Sequence, residues 1–350
     1  MARRAAHASF ARLSGTVTIA GGGLAGLSLA VGLRLRGIAV TVHEAGSYPR
    51  HRVCGEFISG VGKATLERLG IADALADALE LRSVAWFREG RQIHEDVLPE
   101  PAMGISRYRL DRRLKEQVVE AGGVVVERSR QVKKDGEGLV WAAGRVPQRG
   151  SWIGLKAHVH GLAMAADLEM HLGAHGYAGL ARVEEGRVNV CGLFRVDRSL
   201  AGQGMDLLDG YLRASGNRVL ADRLRAATVE SESFCAVAGF ELGRQKADPG
   251  LCAIGDAESM TPPFTGNGMS MAFQAAELAL DPLERWSRGG LPWDACVAGI
   301  REGLRRRFRR RLAAAQVLHP LLLRRGGRDV IESIAAAGLL PFRPLLSLVR

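Results

Sequence analysis

Gly21, Gly23 and Gly26 stand in the spacing G-x-G-x-x-G, and Glu44 follows them by a short helix and strand. Glycines so spaced do chemistry by letting a phosphate approach the backbone. The first allows a tight turn, the second leaves room for a pyrophosphate, and the third lets a helix pack on a strand. The N–H groups at the helix start hold the phosphate charge. An acid about 20 residues further on is placed to hold a ribose hydroxyl. A second candidate anion site is Pro263 with Gly266, Asn267, Gly268 and Met269, preceded by Gly255-Asp256. Its glycines open a helix whose exposed N–H groups favour negative charge. Cys54, between Arg52 and Glu56, is either a packed or a reactive thiol. His158, His160, His171 and His175 invite a metal hypothesis, but no carboxylate completes a ligand set at helical or hairpin spacing. They are expected to be sheet-surface histidines, with no metal.

The elements that must position these residues are legible in the hydrophobic pattern. Val17 and Ile19 predict a short buried strand, and Leu24, Leu27, Val31 and Leu35 recur at helical spacing before Gly37. Ile38 to His43 predicts a second strand. The glycines therefore sit where a strand turns into a helix, the context the motif needs; the alternative is a glycine-rich turn in an ordinary β-α-β unit. Ser47 to Gly60 has no periodicity and reads as a loop. Leu81 to Leu98 predicts strands, broken by Pro99 and Pro101. Ser106 caps a helix with Leu110, Leu114 and Val118 on one face. Leu139 to Gly144 is a strand ending in small residues, which suits close passage of a cofactor. Ile153, Leu155, Ala157 and Val159 alternate with Trp152, Lys156, His158 and His160, predicting an antiparallel sheet with one covered face.

The chain has 350 residues and is 47% hydrophobic, enough for a large core in two interleaved domains. Five cysteines without a C-x-x-C pair fit a reducing cytoplasm, with neither a disulfide frame nor a zinc site. Arg3 and Arg4 before an apolar run resemble a secretory signal, but that run is the glycine-motif unit. No signal and no membrane span are expected, and Met1 to Ser14 read as a loose basic tail. The net charge of +11 rests largely on arginine. In the basic helical tail, Arg305, Arg306, Arg307, Arg309, Arg310 and Arg311 surround Leu304, Phe308 and Leu312. This is either an ordinary solvated face or a docking surface for an acidic carrier protein or an anionic membrane. Nucleic acid is not an expected partner, because no binding motif and few aromatics accompany the charge.

Four pieces resemble the FAD-dependent oxidoreductases of the para-hydroxybenzoate hydroxylase fold, and most of all their geranylgeranyl-reductase-like branch. They are Gly21 to Glu44; Arg107 with Leu110-Asp111 and Leu114; Ala142-Ala143-Gly144; and Ile254-Gly255-Asp256-Ala257 running into Pro262 to Met269. Val53-Cys54-Gly55-Glu56 also resembles the Cys-Gly segment of the reductase branch. The resemblance implies FAD as the bound dinucleotide. Gly21, Gly23 and Gly26 would hold its pyrophosphate, Glu44 its adenosine ribose, and Asp256 its ribityl chain. Arg107 would lie along the cofactor, and Gly266 to Met269 would set a helix N-terminus at the flavin edge. NAD(P)H, as a transient electron donor, would bind without a Rossmann domain of its own.

The chain also departs from the family. The link Ser129 to Gly138 is short, Tyr177-Ala178-Gly179-Leu180 keeps the branch's tyrosine but loses its tryptophan, and the hydroxylases' D-G motif is missing. The signature W-x-W-x-I-P is absent, which argues against halogenation.

The expected fold is α/β: a Rossmann-like FAD-binding domain with a parallel sheet, interrupted by a mostly antiparallel substrate sheet, with C-terminal helices. The FAD domain would comprise 15–80, 107–146 and 248–290, the substrate domain 81–106 and 147–247, and the basic helical region 291–350. The expected activity is oxidation or reduction of an apolar organic substrate in the cytoplasm or at a membrane. Hydroxylation with reduced flavin and oxygen is placed ahead of reduction or dehydrogenation, and Tyr177 and His175 are the candidate catalytic residues. The rival reading is a non-catalytic lipid binder of the same fold, against which the intact Gly21 to Gly26 and Gly255-Asp256 speak.

Overall fold

The computed structural model describes residues 15–145, 150–245, 248 and 250–349. The predicted basic tail and the expected domain boundary at 146–147 lie outside them. The strands are β1 (Val17–Ala20), β2 (Val40–His43), β3 (Phe57–Ile58), β4 (Leu79–Arg88), β5 (Arg91–Gly104), β6 (Val124–Val126), β7 (Leu139–Trp141), β8 (Trp152–His160), β9 (Leu168–Leu172), β10 (Gly176–Arg182), β11 (Val188–Arg195), β12 (Thr228–Phe240), β13 (Gly243–Arg244), β14 (Cys252–Ala253) and β15 (Ser259–Met260). The helices are α1 (Leu24–Leu35), α2 (Lys63–Leu69), α3 (Arg107–Glu120), α4 (Gly204–Ala214), α5 (Arg218–Ala226), α6 (Gly268–Ser287), α7 (Trp293–Leu323), α8 (Arg325–Ala336) and α9 (Phe342–Val349).

Five strands form a parallel sheet in the order β14-β7-β1-β2-β6. Helix α1 follows β1 and is buried from Leu24 to Leu33, because α3 and α6 pack on it. Ser106 caps α3 as predicted, its Oγ accepting the Arg109 N–H at 3.1 Å. A second sheet runs β12-β8-β11-β10-β9-β4-β5-β3; it is antiparallel except at β4–β9. The α/β fold expected from the sequence is present.

Two expectations about the second sheet need correction. Both of its faces are covered, not one. Leu155, Val159, Val190 and Phe194 pack under α4 and α5, while Trp152, Leu172, Tyr177 and Leu193 pack against Leu322 and Leu323 of α7 and Ile331 of α8. Pro99 and Pro101 do not end a strand either. β5 continues through them, and the register jumps from Leu81↔Ala102 to Ser83↔Val97. The prolines occupy that irregular stretch, where no ladder hydrogen bond needs their missing N–H.

Helix α7 is the connecting strut. At 31 residues it is about 45 Å long, and it runs from β14 and α6 of the parallel sheet to the face of the second sheet.

Candidate cofactor and substrate site

At the nucleotide end, packing accounts for two of the three glycines. A Cβ on Gly21 would lie 2.3 Å from the Ala142 carbonyl oxygen, and one on Gly26 would lie 2.0 Å from that of Gly21. Gly21 also has φ +112°, in the region side chains avoid. Gly23 is different. The nearest atom to its Cβ position is Arg107 Nη2, at 4.0 Å. Nothing among the described residues demands glycine there, which is what a residue facing a ligand shows. Gly23 is also the N-cap of α1 and offers no side-chain cap, so the first N–H groups of the helix point into the same space.

Glu44, at the end of β2, is buried and accepts N–H groups from Gly22 (2.9 Å) and Gly46 (2.8 Å). Arg50 and Arg52 stand at 3.0 and 3.4 Å from its oxygens. Burial alone would raise its pKa, but Arg52, the Gly46 N–H, Arg50 and the Gly22 N–H outweigh it and hold the carboxylate below its usual range. Arg107, in the first turn of α3, grips the fully buried Asp111 through Nε (2.7 Å) and Nη2 (2.9 Å), and Arg52 Nε reaches the same carboxylate at 2.8 Å. These two guanidiniums form a fixed cationic wall beside the glycine turn.

At the other end, β14 delivers Gly255, with φ +64°, and Asp256. The Asp256 carboxylate makes no hydrogen bond to a described residue. Burial raises its pKa, partly offset by Arg145 and Arg107. Asp256 lines a small cavity with Gly255, Gly268, Met271, Leu304 and Phe308. Pro263 begins a short 3-10 turn that ends at Gly266, whose φ is +65°. The Asn267 Oδ1 is buried without a partner, and its Nδ2 donates to the Val349 carbonyl. No heavy atom of a described residue comes within 4 Å of a Cβ on Gly268. Met269 turns its side chain into the core, so only its backbone can serve a ligand. An acid with no hydrogen bond to a described residue, an uncapped helix start and a glycine open to space fit a dinucleotide with a polar chain.

Tyr177 and His175 separate. Tyr177 is buried beside the loop, its oxygen accepting the Phe264 N–H at 3.2 Å. His175 is exposed in the β9–β10 turn. The histidine that joins Tyr177 instead is His319, from α7. Its ring lies 5.8 Å from Tyr177, 5.8 Å from Phe264 and 5.2 Å from Trp152. His319 is 7% exposed, and its Nε2 has no hydrogen-bond partner. Burial, with Arg195 nearby, brings its pKa down to about 4, so it is neutral at pH 7. Nothing local in the sequence marks it; it stands in an arginine- and leucine-rich helix.

A second unforeseen group ties the Ser47–Gly60 loop to the sheet. Glu56, Lys156 and His158 are all essentially inaccessible; Glu56 contacts His158 Nε2 at 2.5 Å and Lys156 Nζ at 3.4 Å. Glu56 also accepts the Arg107 N–H at 3.0 Å, and Asn189 Nδ2 donates to the Cys54 carbonyl at 2.9 Å. This corrects the surface assignment of the histidines. His158 is buried in this network, and His171 is buried against Glu169 and stacked on Phe87. The only signal in the sequence was a lysine and a histidine alternating within an apolar strand. Burial raises the Cys54 pKa, although Arg107 opposes it. Among the described residues no group of three or more potential ligands could hold a metal.

Residues 14–158 match the FAD binding domain family. A comparison with curated proteins finds no match. Among solved structures, the chain is similar to HpxO of Klebsiella pneumoniae, complexed with FAD and uric acid, at 16% identity and TM-score 0.75, covering 98% of each chain. It is similar to a geranylgeranyl bacteriochlorophyll reductase-like protein of Thermoplasma acidophilum, at 17% identity and TM-score 0.73, covering 95% of each chain. It is also similar to the flavin-dependent brominase Bmp2, at 17% identity and TM-score 0.72, covering 95% of this chain and 92% of the other. The chain thus carries a match to an FAD binding domain over residues 14–158 and shares the fold of these solved structures over nearly its whole length.

Proposed function

We propose that this protein is an FAD-dependent monooxygenase that hydroxylates an apolar, ring-bearing organic substrate. The observation that carries this reading is the cluster of Tyr177, Phe264, Trp152 and the unpaired, neutral His319 against the Pro262–Gly268 turn. FAD, when bound, would supply the redox chemistry, with electrons from a donor of the NAD(P)H class. Gly23 and the α1 N-terminus would hold its pyrophosphate, Glu44 a ribose, and Asp256 its polar chain.

The chain's own residues do the rest. The apolar wall of Tyr177, Phe264, Leu193 and Met260 excludes water from the reacting centre. The Tyr177 hydroxyl oxygen accepts the Phe264 N–H, which leaves its own proton to donate to a substrate oxygen. His319 Nε2 would accept a substrate proton, and its low pKa keeps it able to do so at neutral pH. Five free thiols fit a reducing, cytoplasmic setting.

A reductase or dehydrogenase is the second reading. It is favoured by Cys54, a half-buried thiol whose pKa burial raises, beside Arg107 and the Glu56 N–H. Halogenation is not proposed, since the W-x-W-x-I-P signature is absent. The deciding experiment reduces the flavin anaerobically, admits isotopically labelled oxygen with candidate aromatic and polyene substrates, and follows label into product. Label in the product supports hydroxylation. Anaerobic turnover of an alkene, with no label taken up in air, promotes the reductase. Protein that stays colourless after addition of FAD revives the non-catalytic binder.

A further inference from the structure

We propose that the outward face of α7, with the helices that follow it, docks on an anionic lipid surface. Helix α7 buries one stripe: Leu304, Phe308, Leu312, Ala315, His319 and Leu322. Arg311 belongs to that buried side and donates to Gln274 Oε1 at 2.9 Å, so it is not part of the cationic surface the sequence suggested. Burial, with Arg307 nearby, brings its pKa down to about 10. The opposite face carries Arg306, Arg309 and Arg310 in one stretch and Val317 and Leu321 in the next. Arg306, Arg307, Arg309 and Arg310 have no carboxylate partner among the described residues; Arg305 pairs only with Glu302, at 3.7 Å. Val317 is 68% exposed and Leu321 43%.

Either feature alone is ordinary. Solvated arginines and single exposed aliphatics are common on soluble proteins. Their conjunction on one helix face is the pattern of an interfacial helix, which combines buried apolar area with attraction to anionic headgroups. α8 and α9 pack on α7 and carry further exposed aliphatics, Val330, Leu339 (73% exposed) and Leu348, with the exposed Arg324 and Arg325. An acidic protein would be satisfied by the arginines and would leave the exposed aliphatics unexplained; a lipid surface uses both. No helix among the described residues is long and apolar enough to cross a membrane, so the attachment is peripheral. The inner side of the same helix carries His319 and Leu322 to the apolar cluster. Its use as a route for substrate rests on the proposed apolar substrate; the docking itself does not.

The test sediments the full-length flavin-loaded protein with vesicles of phosphatidylcholine alone and of equal phosphatidylcholine and phosphatidylglycerol. Binding to the anionic vesicles only, weakened by salt, is expected. The triple variant Arg306→Gln, Arg309→Gln, Arg310→Gln should bind about 100-fold more weakly, as three cations near an anionic surface predict. Val317→Asp with Leu321→Asp should abolish the binding that survives high salt. Wild-type protein that ignores anionic vesicles, binds both compositions equally, or associates only with an acidic carrier protein overturns the proposal. None of these readouts depends on which reaction the flavin carries out.

Discussion

Replacing Asp256 by alanine separates cofactor binding from folding. The carboxylate ends a strand beside the cofactor turn, is raised in pKa by burial, and makes no hydrogen bond to a described residue. In the apoprotein it is therefore a liability. In the holoprotein it would accept a hydrogen bond from a hydroxyl of the cofactor's polar chain, a charge-assisted bond worth roughly 1.5–3 kcal/mol. That converts to a loss of about 10- to 150-fold in FAD affinity. The apoprotein should respond in the opposite direction. A carboxyl whose pKa is raised on folding contributes stability below its unfolded pKa and loses it as pH rises through the folded one. At pH 7 the wild-type apoprotein carries this cost and the alanine variant does not, so the variant apoprotein should melt no lower than wild type. The gap should close in acid, where the carboxyl is protonated. Flavin fluorescence quenching on titration of apoprotein gives the affinity, and thermal melts across pH give the stability. Wild-type FAD affinity in the variant, or a collapsed apoprotein, refutes the reasoning.

Other outcomes follow from the same geometry. Gly23→Ala should fold normally, since its Cβ meets no atom nearer than 4.0 Å, but bind FAD more weakly; Gly26→Ala should lose stability, since its Cβ would meet a carbonyl oxygen at 2.0 Å. Melting temperature and flavin content read the two apart. His319→Leu should retain flavin and fold, while the acid limb of the kcat/KM profile governed by a group near pH 4 disappears. Tyr177→Phe strands the Phe264 N–H and should cost about 1–3 kcal/mol, read by denaturant unfolding. Glu169, lowered to about 2 through its bonds to His171 and Arg223 against the cost of burial, contributes stability at neutral pH. That contribution should fade as pH falls from about 4.5 toward 2, and Glu169→Gln should lack it at every pH.

The sequence by itself determined the local geometry of the candidate cofactor end. Gly21, Gly23, Gly26 and Glu44 lie within one β-α-β unit, and Asp256 with Gly266 to Gly268 lie within one strand–turn–helix unit. Such motifs are short-range: each glycine answers a turn, a helix contact or a ligand within its own segment, so spacing alone carries the information. The α3 cap was legible for the same reason. Tertiary structure decided the substrate end. His319 reaches Tyr177 because a long, nearly continuous α7 carries it across the molecule, and no local pattern encodes where a helix ends in space. His158 looked like a surface residue because alternation in a strand cannot say whether the second face will be covered. Packing of the Ser47–Gly60 loop against β8 covered it, and Glu56 and Lys156 then made burial tolerable by pairing with each other and with His158. Arg311 differs from its neighbours only by facing inward, a fact of helix rotation that the run of arginines conceals.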